Sequence, residues 1–150
     1  MITGGSKGLG LEFAGLCVEK GAKVTMIARN EKDLKNAKIQ VLKQLPKSSS
    51  EDFVGIKMGD VTNFENLKTL IQESIKERGD IDWLVCNAGA AQPGMLSDNS
   101  PQVYKSQMDL NYLGTVNAVL ASIDNIKSNK NSDKKIICVS SAMGLAGFTG

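Results

Sequence analysis

Short apolar runs alternate along this chain with longer stretches in which apolar residues recur every three or four positions. The runs KVTMIAR (Lys23–Arg29), DFVGIKMGD (Asp52–Asp60), DWLVCNAG (Asp82–Gly89) and KKIICVSS (Lys134–Ser141) are rich in apolar and β-branched residues. Each is bounded by turn or charge signals, so each predicts a strand. Met1 and Ile2, just ahead of a glycine turn, read as the tail of a first strand. Residues 8–20, 30–45, 62–78 and 101–127 carry helical spacing, with Phe64, Leu67, Leu70, Ile71 and Ile75 on one face of the third. In the first, Leu9, Phe13, Leu16 and Cys17 form the apolar stripe, while Met108, Leu113 and Val116 read as core positions of the last. Strands this uniformly apolar are covered on both faces, and their alternation with helices predicts an α/β fold. The expected architecture is a doubly wound parallel sheet, a Rossmann fold.

The length, 150 residues, is that of one domain, and a domain of this size buries roughly 68–70% of its unfolded surface. The polar stretches Pro46–Asp52 and Asn129–Asp133 read as loops, and neither resembles a linker. Both ends look cut, because the first strand is reduced to its tail and the last apolar strand would otherwise be a bare edge. The expectation is the N-terminal part of a single domain, incomplete at its C-terminal side.

Composition narrows the chemistry. No apolar run approaches the roughly 18 residues of a membrane span. The net charge of +2 comes from scattered lysines without a basic block, which argues against a nucleic-acid partner. Cys17, Cys86 and Cys138 are far apart and sit in apolar surroundings, reading as small buried hydrophobes rather than as disulfides or metal ligands. The chain contains no histidine, which removes the imidazole base and most metal sites.

The segment TGGSKGLG, Thr3 to Gly10, has the pattern TGxxxGxG between a strand end and a helix. Backbone N–H groups at a helix N-terminus cradle phosphate, and glycine lets a pyrophosphate approach without a Cβ in the way. Ser6 adds a hydroxyl and Lys7 a positive charge. A Walker A loop is excluded because Gly8, not Ser or Thr, follows Lys7. At the end of the second strand, where an NAD-selective domain places a carboxylate for the ribose, stands Ala28, followed by Arg29. Arg29, paired in space with Lys7, predicts recognition of a 2′-phosphate and hence NADPH.

Four further motifs follow in order: GDVTN, CNAG, DLNYLG and VSSAMG. With the glycine turn they resemble the short-chain dehydrogenase/reductase family across the whole chain. The resemblance implies an NADP-binding domain over residues 1–150, with Gly4, Ser6, Lys7, Gly8, Leu9 and Gly10 at the cofactor phosphates. It implies that Asp60 and Val61 meet the adenine and that Asn87, Ala88 and Gly89 line the path to the nicotinamide. Ser141 would be the catalytic serine that holds the substrate oxygen, with Ser140 facing away, and Asn111 would hold a water of the proton relay.

The family's proton donor lies in a YxxxK motif that this sequence does not contain, since Met108 and Val116 stand four places after Tyr104 and Tyr112. The motif is expected beyond Gly150. Within the family, ITGGSKGLG, ARNEKDL, NAGAAQPGML and MDLNYLGTVNAV are most similar to the 3-ketodihydrosphingosine reductases. That similarity implies NADPH-dependent reduction of a long-chain lipid ketone in sphingolipid synthesis, at the cytosolic face of the endoplasmic reticulum. Reduction of another ketone (acyl-carrier-bound, steroid or small carbonyl) and a catalytically silent NADPH-binding module are the alternatives. A homo-oligomer through the helix around Gln102–Ile126 is a further possibility by the same resemblance.

Overall fold

The computed structural model describes residues 1–45 and 50–145; the predicted loop's Pro46–Ser49 and the terminal Ala146–Gly150 lie outside them. The order is β1 (Ile2–Thr3), α1 (Gly8–Glu19), β2 (Val24–Ala28), α2 (Glu31–Leu42), β3 (Val54–Met58), α3 (Phe64–Arg78) and β4 (Trp83–Cys86). Then come α4 (Pro101–Gln107), α5 (Gly114–Ser128) and β5 (Lys135–Cys138). All strands are parallel, in the order β3-β2-β1-β4-β5. This is the doubly wound sheet that the alternation of patterns predicts. The chain order reverses between β1 and β4, and ligands of such sheets bind at the carboxyl ends beside that reversal.

Strand alternation divides the core into two layers. Ile2, Val24, Met26, Val54 and Val85 meet α1 and α2 through Ala14, Val18, Leu34, Ala37 and Val41. Ile27, Leu84 and Cys86 meet α3 and α5 through Leu67, Ile71, Ala118 and Ile126. Inside the second layer, Thr25 Oγ1 and Ser74 Oγ share a hydrogen bond of 3.0 Å, which satisfies both buried hydroxyls.

Three sequence expectations change. The stripe predicted for α1 is not its buried face: Gly10, Ala14, Gly15 and Val18 are buried, while Leu9 and Leu16 are 63% and 58% exposed. Small residues line the buried side of this helix, where Gly10 seats on the turn at Gly4 and Asn87 and Gly15 packs against Gln44. The single helix expected over 101–127 is divided by a wide π turn at Met108–Leu113. Met108 and Leu113 lie on its outside, exposed rather than in the core, and Val116 is half-buried. Of the cysteines only Cys86 is fully buried; Cys17 is partly covered, and Cys138, its register partner on β5, is exposed. Burial, with Cys138 alongside, pushes the Cys86 thiol up to about 12, so it stays protonated near neutrality.

Candidate functional site

The chain leaves β1 through a turn built on two glycines with different duties. Gly4 has φ +65°, and a Cβ there would stand 2.8 Å from Ala88 Cα. Gly10 has ordinary helical backbone, but its Cβ would fall 2.5 Å from both Asn87 Nδ2 and Gly4 O. The first lets the turn form, and the second lets α1 begin directly above it. The helix N-terminus carries no side-chain cap and no acidic residue in its first turn, so its N–H groups and the positive end of its dipole stay available to an anion.

Thr3 ties this turn to the end of β4. Its buried Oγ1 accepts from Asn87 N (3.1 Å) and Ala88 N (3.2 Å) and donates to Val85 O. Asn87 Nδ2 in turn donates to Thr3 O and Gly4 O at 3.3 and 3.1 Å. The glycine turn and the NAG element are thereby one hydrogen-bonded unit across the sheet reversal.

Around that unit lies a cleft of about 420 Å³ at the carboxyl ends of β1 to β4. Gly4, Ser6, Lys7, Leu9, Arg29, Asp60, Val61, Asn87, Ala88 and Gly89 line it. Ten of the twelve residues expected at a cofactor therefore meet in one place; Gly10 sits beneath the turn, and Gly8 beside it in the chain. The exposure of Leu9 has its reason here, because this side chain faces the cleft. A larger hollow of about 650 Å³, bordered by Met1, Arg78 and Trp83, lies at the opposite, amino ends of the strands and contains none of these residues.

Asp60 Oδ1 accepts from Thr62 N and Thr62 Oγ1, both at 2.9 Å, which fixes its carboxylate at the mouth of the cleft. Val61 is buried beneath Gly114, and its carbonyl accepts from Asn117 Nδ2 at 2.8 Å. Arg29 borders the cleft together with Lys7, but Lys7 is not the free cation expected from the sequence. Its ammonium meets Asp33 Oδ2 at 2.7 Å. Asn30 caps α2 by accepting from Asp33 N, and both residues line the cleft. Sequence reasoning passed over Thr3, Asn30 and Asp33 as site residues, although the N-xx-D spacing after a strand is a helix-capping signal.

Of the residues expected to act on substrate, Asn111 stands at the edge of the cleft, its Oδ1 3.0 Å from where a Cβ on Gly89 would lie, and Ser141 is not among the residues lining it. Asn111, within the π turn, clamps the loop after β4: its Oδ1 accepts from Ala90 N (3.0 Å), and its Nδ2 donates to Ala90 O (2.9 Å) and Gln107 Oε1 (3.2 Å). That carboxamide joins the wide turn of the helix to the NAG loop. Ser141 is exposed beyond β5, and its Oγ accepts from Met143 N at 3.2 Å. Ser140 is exposed as well. Among the described residues no helix is long and apolar enough to cross a membrane, and no group of side chains is placed to hold a metal ion.

Comparisons with known proteins bear on the family and the fold. A family model described as short chain dehydrogenase matches residues 1–150. The 3-ketodihydrosphingosine reductase of Bos taurus is 31% identical over 153 residues, covering 100% of this chain and 44% of its own length. An 11-beta-hydroxysteroid dehydrogenase-like protein of Arabidopsis thaliana is 32% identical over 146 residues, covering 97% of this chain and 45% of its own. The chain spans about half the length of these curated relatives. Among solved structures, the NADPH-bound form of a short chain oxidoreductase from Pseudomonas aeruginosa, described as containing an atypical catalytic center, superposes with TM-score 0.89 at 23% identity. That match covers 99% of this chain and 56% of the other, and it shows the common fold.

Proposed function

Because the chain belongs to the short chain dehydrogenase family, whose members are NAD(P)-binding oxidoreductases, we propose that it is part of an NADPH-dependent reductase that converts a ketone to an alcohol. The observation that carries this reading is the single cleft lined by the glycine turn, Arg29, Asp60 and the NAG element. The residues fit a dinucleotide: the uncapped α1 terminus offers N–H groups to a pyrophosphate, Gly4 and Gly10 let the turn pack directly on Asn87 and Ala88, and a Cβ at Gly8 would meet nothing within 4 Å. Arg29, with no carboxylate before it on β2, fits a 2′-phosphate better than a 2′-hydroxyl. Asp60 and Val61 border the adenine end, and Asn87, Ala88 and Gly89 border the run toward the nicotinamide.

When bound, the cofactor supplies a hydride. The chain's own part is to hold and aim it, with Ser141 as a donor to the substrate oxygen and Asn111 as the clamp that sets the NAG loop. The substrate is a lipid ketone of the 3-ketodihydrosphingosine type. The named relatives and the motif likeness support that choice, and residues 1–150 serve as the NADP-binding portion of the domain.

Dinucleotide titration of the purified protein and of Arg29→Ala tests the cofactor half. The variant should weaken NADPH by about ten- to a hundredfold while NADH changes little, the difference expected for one lost charge-assisted contact. Equal losses for the two nucleotides would refute the 2′-phosphate role. The substrate half is tested by NADPH-dependent reduction of 3-ketodihydrosphingosine beside a steroid ketone and an acyl-carrier ketone; cofactor binding without turnover of any of them would mark a silent binding module.

A further inference from the structure

Of the two cations that border the cleft beside the expected 2′-position, one is already taken. Lys7 Nζ lies 2.7 Å from Asp33 Oδ2, and both residues line the cleft with Arg29. The partners are unequally held: the Lys7 side chain is 72% exposed and that of Asp33 only 26%. Asp33 is the third residue of α2, its backbone N–H is fixed by Asn30 Oδ1 at 2.9 Å, and its carboxylate sits at the positive end of the helix dipole. The carboxylate is the anchored member of the pair, and the lysine is drawn to it.

Resting on the dinucleotide reading above, we propose that Asp33 is a selectivity-determining residue: an internal anion that holds the cation a 2′-phosphate would otherwise use. A phosphomonoester carries about −1.5 to −2 charge near neutrality. To be held by Lys7 it must displace the Asp33 carboxylate and then remain close to it, so like-charge repulsion opposes it at short range. A 2′-hydroxyl makes neither demand. Arg29 and Lys7 together favour the phosphorylated nucleotide, and Asp33 subtracts from that preference without touching the rest of the cofactor. The cleft that results discriminates less strongly between NADPH and NADH than its two cations alone would.

Dissociation constants for NADPH and NADH, and for the fragments adenosine 2′,5′-bisphosphate and 5′-AMP, test this in the wild type and four variants. These are Asp33→Asn, Asp33→Glu, Lys7→Ala and the double variant Asp33→Asn with Lys7→Ala. At low ionic strength Asp33→Asn should tighten NADPH and the bisphosphate by about three- to tenfold, with NADH and 5′-AMP moving by less than about twofold. Asp33→Glu, which keeps the charge, should retain the wild-type ratio. The gain should be smaller in the Lys7→Ala background, where only the direct repulsion by Asp33 is relieved, and should shrink as salt is raised. A ratio unchanged by Asp33→Asn, or a gain as large without Lys7 as with it, overturns the role of Asp33 while leaving dinucleotide binding intact. If the folded wild type binds neither nucleotide, the dinucleotide reading fails and this inference fails with it.

Discussion

The reversal of the sheet between β1 and β4 and the far end of β5 belong to one layer, yet they are held by different means. At the reversal one buried hydroxyl, Thr3 Oγ1, receives two backbone N–H groups from the neighbouring strand end, and two glycines admit backbone where any side chain would collide. At the end of β5, Ser141 stands in solvent, its hydroxyl accepting from Met143 N and its carbonyl from Gly144 N, both within the turn that follows. β5 itself is bonded to β4 alone among the described residues, and Ile136 and Val139 are 36% and 42% exposed. The first region is preorganised by contacts within these residues and can present a finished surface to a ligand. The second presents an exposed hydroxyl without enclosing it.

That contrast can be broken by substitutions, taken here from the most to the least disruptive for the fold. Gly10→Ala should have the largest effect. Its methyl would meet the Gly4 carbonyl and the Asn87 amide, and backbone cannot yield as a flexible side chain does, so a loss of about 3 kcal/mol is expected. Chemical denaturation reads the stability and NADPH titration the binding; a variant as stable as the wild type would show that the turn is not rigid.

Thr3→Val comes next. It keeps the shape but leaves Asn87 N and Ala88 N without their acceptor, at a cost of about 2 kcal/mol for groups so enclosed. Hydrogen exchange should show these two amides losing protection ahead of the strand amides in β2. Retained protection would mean that another acceptor replaces the hydroxyl.

Ser141→Ala is the mildest for the fold. It removes one acceptor from an exposed turn and should change stability by no more than about 0.5 kcal/mol, with NADPH affinity unaltered. If the proposed reaction occurs, turnover should nonetheless fall by roughly a hundredfold or more, as for a lost oxyanion donor. A strongly destabilised Ser141→Ala would erase the distinction between the two regions.

The strands and helices were legible in the sequence because their signals are local. Val24–Ala28 and Trp83–Cys86 are nearly continuous in apolar residues, and the glycine spacing at Thr3–Gly10 has few structural uses. The buried face of α1 was misread for a definite reason. Periodicity weighs large apolar residues, whereas the buried side of α1 is formed by Gly10, Ala14, Gly15 and Val18, and Leu9 borders the cleft. The partner of Lys7 was invisible because the pair joins two elements whose separation in space is set by the fold, and an arginine closer in chemical purpose stood nearby. The π turn could not be read either: it carries the contact of Asn111 with Ala90, 21 positions away in the chain, which local periodicity does not record. Ser141 was placed on the right strand end, but its distance from the cleft is a property of how far β5 lies from β1.

The close seating of α1 also divides its surface into a permissive side and a forbidden one. In a saturation library across Gly8–Glu19, the outward positions Glu12, Leu16 and Glu19 should accept polar residues freely. Ala14, with no exposed surface, and Gly10, whose added Cβ would strike the Gly4 carbonyl, should accept almost nothing larger, whereas Gly15 faces only the movable end of the exposed Gln44 side chain and should accept alanine. Mutational tolerance along this helix would then follow residue size, with hydrophobicity a poor guide, and the most apolar positions would be among the most replaceable.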